Sequence, residues 1–286
     1  MRQFLIQINI YLILGIYNEF FEAQNKPLES ERTCQPYSCQ NFPLNSSVIP
    51  GCTGMEVLQD IPFELDTDSL LARLHLQKES DDDEELNALV ETIRPHMRPK
   101  AVYRESYVKD RGEDCVTIDC VTFTSRVLRA NLDKVERVFP FIATCGKEID
   151  ELDLGSGDFI KQFWIDTIKS IALSFSCKYL NEHLNHRYAL RKTSSMSPGS
   201  GDVDTWPIVQ QRDLFSLFSN AYELIGVELT DSFLMIPNKS VSGIRFPAEI
   251  DFRSCQVCHR ENCPSRSAPF DRILWETYQR ESEVIT

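Results

Sequence analysis

The sequence predicts an α+β fold. Residues 101–108 and 115–123 are rich in Val, Ile, Thr and Tyr and flank the turn-prone Lys109-Asp-Arg-Gly-Glu113, the composition of a hairpin. A much longer segment, residues 157–187, repeats Trp164, Ile168, Ile171, Phe175 and Tyr179 at helical spacing, so that stripe should face a core. Strand-like and helix-like segments alternate irregularly, without the βαβ period of a doubly wound parallel sheet. No internal repeat is visible.

The elements follow in order. Residues 1–54 form an extension without periodicity, polar and turn-rich from Gln24, with Cys34, Cys39 and Cys52 among Pro, Ser and Asn. Its apolar run, residues 4–16, is interrupted by Gln7 and Asn9, follows a single Arg2 and lacks a small-residue cleavage site, which disfavours a signal peptide. It is also shorter than the roughly 20 residues of a membrane span. The folded domain is expected over residues 55–286, with residues 1–54 disordered or upstream of a true start at Met55. Residues 61–65 have the look of a short strand. Thr67 or Asp68 can cap a helix bearing Leu70, Leu71, Leu74 and Leu76, and an acidic stretch from Ser80 opens a second helix through Ile93. After the hairpin, a helix is expected over residues 127–135. The apolar run 137–145 reads as a buried strand, and the long helix follows. Residues 193–206 read as a loop. A helix then starts at Pro207 and carries Leu214, Phe218, Ala221 and Ile225. Residues 229–236 and 240–246 read as strands, followed by a cysteine cluster and an amphipathic tail.

Composition excludes some functions. A formal charge of -13 disfavours nucleic acid as a partner, because displacing its counterions takes clustered Lys and Arg. With 42% hydrophobic residues the chain can build its own core, so its ten cysteines need not be a disulfide framework. A reducing compartment, the cytoplasm, is the expectation.

Cys255-x2-Cys258-x4-Cys263 is the strongest chemical signal, since closely spaced thiolates can converge on zinc or an iron–sulfur cluster. A fourth ligand would come from elsewhere, with Cys145 in the Thr144-Cys-Gly146 loop the first candidate and Cys177 and Cys120 after it. Free thiols packed at a domain edge are the alternative. The glycine-rich loop Ser197-Pro198-Gly199-Ser200-Gly201-Asp202 precedes a helix, where backbone N–H groups can hold an anion or carboxylate, although many such loops are only turns. Lys239 lies in a turn and is either a ligand contact or solvated. The histidines form no metal array: His183 and His186 fall three apart on the long helix and suit a surface role.

Taken in order, residues 196–202, Trp206-Pro-Ile-Val-Gln210, Leu214-Phe-Ser-Leu217, residues 225–230 and residues 234–244 resemble the activation domain of cobalamin-dependent methionine synthase. The closer resemblance is to stand-alone, anaerobe-type relatives of that domain with a Cys-x2-Cys-x4-Cys end, and Arg98-Pro-Lys-Ala-Val-Tyr-Arg104, residues 123–128 and 138–146 extend it to about residues 56–275. The resemblance implies a twisted antiparallel sheet with flanking helices. It implies an accessory subunit that docks on a corrinoid protein or split methionine synthase, supports return of Co(II) to the methylated state, and works with a flavodoxin- or ferredoxin-like electron donor. Any catalysis would belong to that methyltransferase system. S-adenosylmethionine is the implied ligand, bound in the family by an Arg-x-x-x-Gly-Tyr loop; the aligned positions here are Ser195, Gly199 and Ser200, so only the Gly is kept. Pro198 to Asp202 and Lys239 are the expected ligand contacts, with cobalamin presented by the partner. An iron–sulfur electron-transfer protein and a zinc-stabilised binding module are the alternatives.

Overall fold

The computed structural model describes residues 54–280, apart from 153, 155, 156, 203, 204, 250, 251, 264 and 265. The expectations for the extension, Cys34, Cys39 and Cys52 therefore lie outside the described residues. The architecture is the α+β one expected, a curled antiparallel sheet with flanking helices.

Its centre is β6 (Arg137–Thr144). β2 (Lys100–Arg104) and β3 (Ser106–Arg111) pair along one edge of β6 and β10 (Ser240–Pro247) along the other, all antiparallel. Residues 101–108 thus form two strands rather than one, but Tyr103 faces Phe141 and Ser106 faces Val138, so the register runs unbroken past Glu105. At that break the Glu105 amide donates to Gly54 O, beside β1 (Met55–Leu58), which pairs with β2. The second expected strand is likewise divided, into β4 (Cys115–Ile118) and β5 (Val121–Thr124), because Asp119 turns at φ 51. β7 (Thr193–Met196) adds to the outer edge of β10. It was expected to be loop, and its Thr-Ser-Ser-Met composition indeed carries no strand signal; the ladder offered by β10 makes it one.

Alternation on the strands separates two cores. Val102, Val138 and Ile142 face one side, with Trp206, Leu214 and Ile225; Ala101, Tyr103, Phe139, Phe141 and Ala143 face the other, with Leu180 and Leu184. The second side is covered by the long helix, α4 (Phe159–Arg187). Its buried line is Trp164, Ile168, Ala172, Ser176, Leu180 and Leu184, so beyond Ile168 it departs from the expected stripe. Small residues at 172 and 176 let the helix approach β6, and Ser176 Oγ donates to Thr144 O at 2.7 Å. Phe175 packs instead edge-on against Phe63, 5.1 Å away. That contact explains why residues 61–65 are not a strand: they are a strap whose side chains cover α4.

The helices α1 (Thr67–Leu74) and α2 (Asp81–Ile93) are capped by Asp66 and Ser80; the first cap is Asp66 rather than the expected Thr67 or Asp68, its carboxylate accepting from Asp68 N. With Trp164, Ile165 and Ile168 they form a third apolar group. α3 (Arg126–Asn131) is capped by Ser125. The helix expected after Pro207 is interrupted: α5 (Gln211–Ser216) ends, Asn220 accepts from Glu223 N, and α6 (Ala221–Ile225) stops at Gly226 with φ 75. Residues 229–236 fold on themselves as a ribbon of β8 (Glu228–Leu229) and β9 (Met235–Ile236). The expected amphipathic tail contains the helix α7 (Arg272–Arg280). Among the described residues no helix is long and apolar enough to cross a membrane.

Candidate functional site: a serine-lined cleft under the glycine loop

The glycine loop leaves the sheet where β7 ends. Gly243 on β10 permits this, because a Cβ there would stand 2.5 Å from Met196 O and 2.7 Å from Ser197 Oγ. Within the loop, Gly199 (φ 75) and Gly201 (φ 98) hold left-handed conformations natural to glycine. The Gly199 amide donates to Trp206 O at 2.8 Å and the Ser200 amide to Ser197 O at 3.1 Å. Trp206 is fully buried against Phe123. Ser125 Oγ donates to Thr205 O at 2.6 Å while capping α3. The loop is therefore fixed at both ends, and its outer turn faces the cysteine segment.

That segment begins with a 3-10 turn, Ser254–Val257, tied to β7 by the Phe252 amide donating to Ser194 Oγ at 3.0 Å. Asp202 of the glycine loop meets His259 Nδ1 at 3.3 Å, and the imidazole lies against Phe270 and Trp275. The two segments singled out from the sequence are thus neighbours. Between them lies a cleft of about 320 Å³, walled by Ser195, Ser197, Ser200, Arg245, Ser254 and Cys255. Its donors are mostly hydroxyls. Arg245 projects toward α4 and donates from Nη1 to Asn181 Oδ1 (2.8 Å) and Thr193 Oγ1 (2.9 Å), while its buried Nε has no partner. Burial pulls its pKa below the usual guanidinium value, against the influence of Cys177, but an Arg remains charged at neutral pH.

The expected thiol group is only partly assembled. Cys255, Cys258 and Cys263 share one short segment, but Cys145 sits fully buried in the apolar group with Trp164 and Ile168, its pKa pushed up to about 11 chiefly by burial. The structure does not bring Cys145 to the cluster. Cys177 is half-buried on α4 itself, where burial also pushes its pKa up to about 11. Among the described residues no group of three His, Cys, Asp or Glu side chains stands in a metal-holding arrangement. What organises the cysteine loop is Arg266, whose guanidinium donates to the carbonyls of Cys255, Cys258, Arg260 and Ala268. Cys255 differs from the other thiols: burial acts to raise its pKa, but hydrogen bonds from Ser267 N and Oγ, helped by Ala268 and Arg266, outweigh this and lower it. Cys115 is disulfide-bonded, a departure from the expectation of wholly reduced cysteines.

Of the other expected contacts, Ser200 is in the cleft wall, and Pro198, Gly199, Gly201 and Asp202 shape the loop around it. Lys239 stands apart: it pairs with Asp166 of α4 at 2.9 Å, four positions before Gly243, about 13 Å along β10. Sequence reasoning missed Arg245 and Ser194, and named Ser195 only as a position where the resembling family carries Arg. An Arg inside the apolar run Ile244-Arg-Phe246 was the available signal for the first.

A curled antiparallel sheet centred on β6 with one long covering helix, and a cleft at the β7 loop, make up this α+β fold. Among the solved structures it is similar to is a crystal structure of the MetH reactivation domain bound to AdoHcy, at 13% identity and a TM-score of 0.50, over 70% of this chain and 80% of that one. No family model and no curated protein matches the chain.

Proposed function

We propose that the chain is an accessory subunit of a vitamin B12 methyltransferase system of the methionine synthase type. It docks on a separate corrinoid protein, supporting return of Co(II) to the active methylated state. The observation that carries this reading is the fold shared with a reactivation domain that binds AdoHcy, together with a polar cleft at the loop the sequence singles out. In the reaction, Co(II) on the partner takes one electron from a flavodoxin- or ferredoxin-like donor, and the resulting Co(I) takes the methyl group of S-adenosylmethionine, leaving S-adenosylhomocysteine. This chain's part is to hold that ligand: serine hydroxyls supply neutral donors, and Arg245 supplies charge.

The test is twofold. Tagged protein should retain a corrinoid protein from the same cell, and calorimetry should show saturable binding of S-adenosylhomocysteine. Absence of both defeats the proposal.

A second reading makes Cys255, Cys258 and Cys263 thiolate ligands of zinc or an iron–sulfur cluster. The lowered Cys255 thiol favours it. Metal analysis of anaerobically purified protein decides: stoichiometric zinc or iron lost in Cys258→Ser supports it, and metal-free, stable protein rejects it.

A further inference from the structure

Buried cations in this fold normally meet a carboxylate. Lys100 pairs with Glu148, Arg104 with Asp119 and Lys169 with Asp150, as burial of charge demands. Arg245 is the exception at the cleft: among the described residues it has no ion-pair partner, and both of its hydrogen bonds leave from Nη1 to neutral acceptors. A guanidinium offers five donors, so most of its capacity is unspent. The one ionisable neighbour recorded for it, Cys177, is a thiol kept protonated by burial and supplies no counter-charge.

We infer that Arg245 is the cation of a carboxylate-binding subsite in this cleft, receiving the carboxylate of an amino-acid-bearing ligand. The inference deepens the proposed function and rests on it for the identity of that ligand. The wall around Arg245 suits the assignment, because Ser195, Ser197 and Ser200 add donors without adding competing negative charge. The ladder explains an otherwise odd departure. Arg245 is the direct cross-strand partner of Ser195, the position at which the resembling family carries its loop Arg. Two guanidinium groups at the directly opposed positions 195 and 245 would repel, so with Ser195 on β7 the cation of this pair comes from β10. Arg253 also lines the cleft, and donates from Nη1 to Ser267 O. A planar fork of donors also matches a carboxylate better than a lysine ammonium does.

The full-length protein, labelled with 15N-arginine, tests this by following the Arg245 side-chain Nε–Hε resonance in titrations with acetate, S-adenosylhomocysteine and 5′-methylthioadenosine, which lacks the carboxylate. The resonance should move with the first two and stay with the third. In parallel, Arg245→Gln should weaken S-adenosylhomocysteine binding by about tenfold to a hundredfold, the range of a charge-assisted hydrogen bond, and Arg245→Lys should restore part of it. If acetate moves the resonance but S-adenosylhomocysteine does not bind, the subsite stands and the reactivation ligand falls. If acetate and S-adenosylhomocysteine both leave it unmoved, the inference is overturned whatever the variants do. Unchanged affinity in a folded Arg245→Gln chain overturns it as well.

Discussion

Gly243→Ala probes the cleft at its most constrained point. The backbone of Gly243 is not in the left-handed region, so alanine is conformationally acceptable there and the effect is steric. Its Cβ would lie 2.5 Å from Met196 O, 2.7 Å from Ser197 Oγ and 3.2 Å from Phe141 Cε1. The first of these is backbone and cannot rotate away. The end of β7 must therefore retreat by about 1 Å to reach ordinary contact, weakening the Ile244–Met196 pairing and lifting the loop that roofs the cleft. Overpacking of this kind costs about 1–3 kcal/mol. At about 2–4 °C per kcal/mol for a domain of this size, melting should fall by about 2–12 °C. Thermal unfolding followed by circular dichroism measures it, with Gly157→Ala as control, since a Cβ there meets nothing within 4 Å and should change stability by less than about 0.5 kcal/mol. If Gly243→Ala melts with the wild type and the control, the close approach of the loop to β10 is refuted.

Ser125→Ala removes both the α3 cap and the bond to Thr205 O, so it should cost about 1–3 kcal/mol in urea denaturation, with Thr205 O left without that donor. Cys145 stays protonated in the folded chain to about pH 11, whereas in the unfolded chain it ionises at the ordinary thiol value of about 9.0. Between these values the folded state binds more protons, so stability falls as pH rises from 9 to 11, by up to about 1.4 kcal/mol per pH unit for this thiol; Cys145→Ala should flatten that slope in denaturation curves. Iodoacetamide at neutral pH should alkylate Cys255 before Cys145 or Cys177, and Ser267→Ala should slow the Cys255 reaction, as mass spectrometry of peptides will show. Lys239→Met removes only its partly exposed ion pair to Asp166 and should leave ligand affinity unchanged, with a stability loss below about 1 kcal/mol.

The fold class and most elements were legible because local chemistry and tertiary context agree. Ser80 starts a helix as expected, Asp66 caps the other just ahead of the expected Thr67 or Asp68, and the unbroken apolar run of β6 marks it as a strand buried on both faces. The misread elements are those decided by partners distant in sequence. β7 becomes a strand through β10, and residues 61–65 lose theirs to α4. The sequence also misleads about the helix face: a stripe of large residues promised a core, but Ala172 and Ser176 take the sheet because only small side chains let α4 come close. The same distinction governs the cleft. Its glycine loop and cysteine turn are written in contiguous residues and could be singled out. Their contact through Asp202 and His259, the placement of Arg245 opposite Ser195 and the separation of Cys145 all follow from sheet register, which the sequence alone left open.

Reactivation itself is measured most directly by optical spectroscopy. A purified corrinoid protein held anaerobically in its Co(II) state, supplied with S-adenosylmethionine and a one-electron reductant, is followed by its absorption spectrum with and without this chain. The account predicts faster conversion to the methylated form when the chain is present and a smaller acceleration with Arg245→Gln. Identical rates with and without the chain would contradict it.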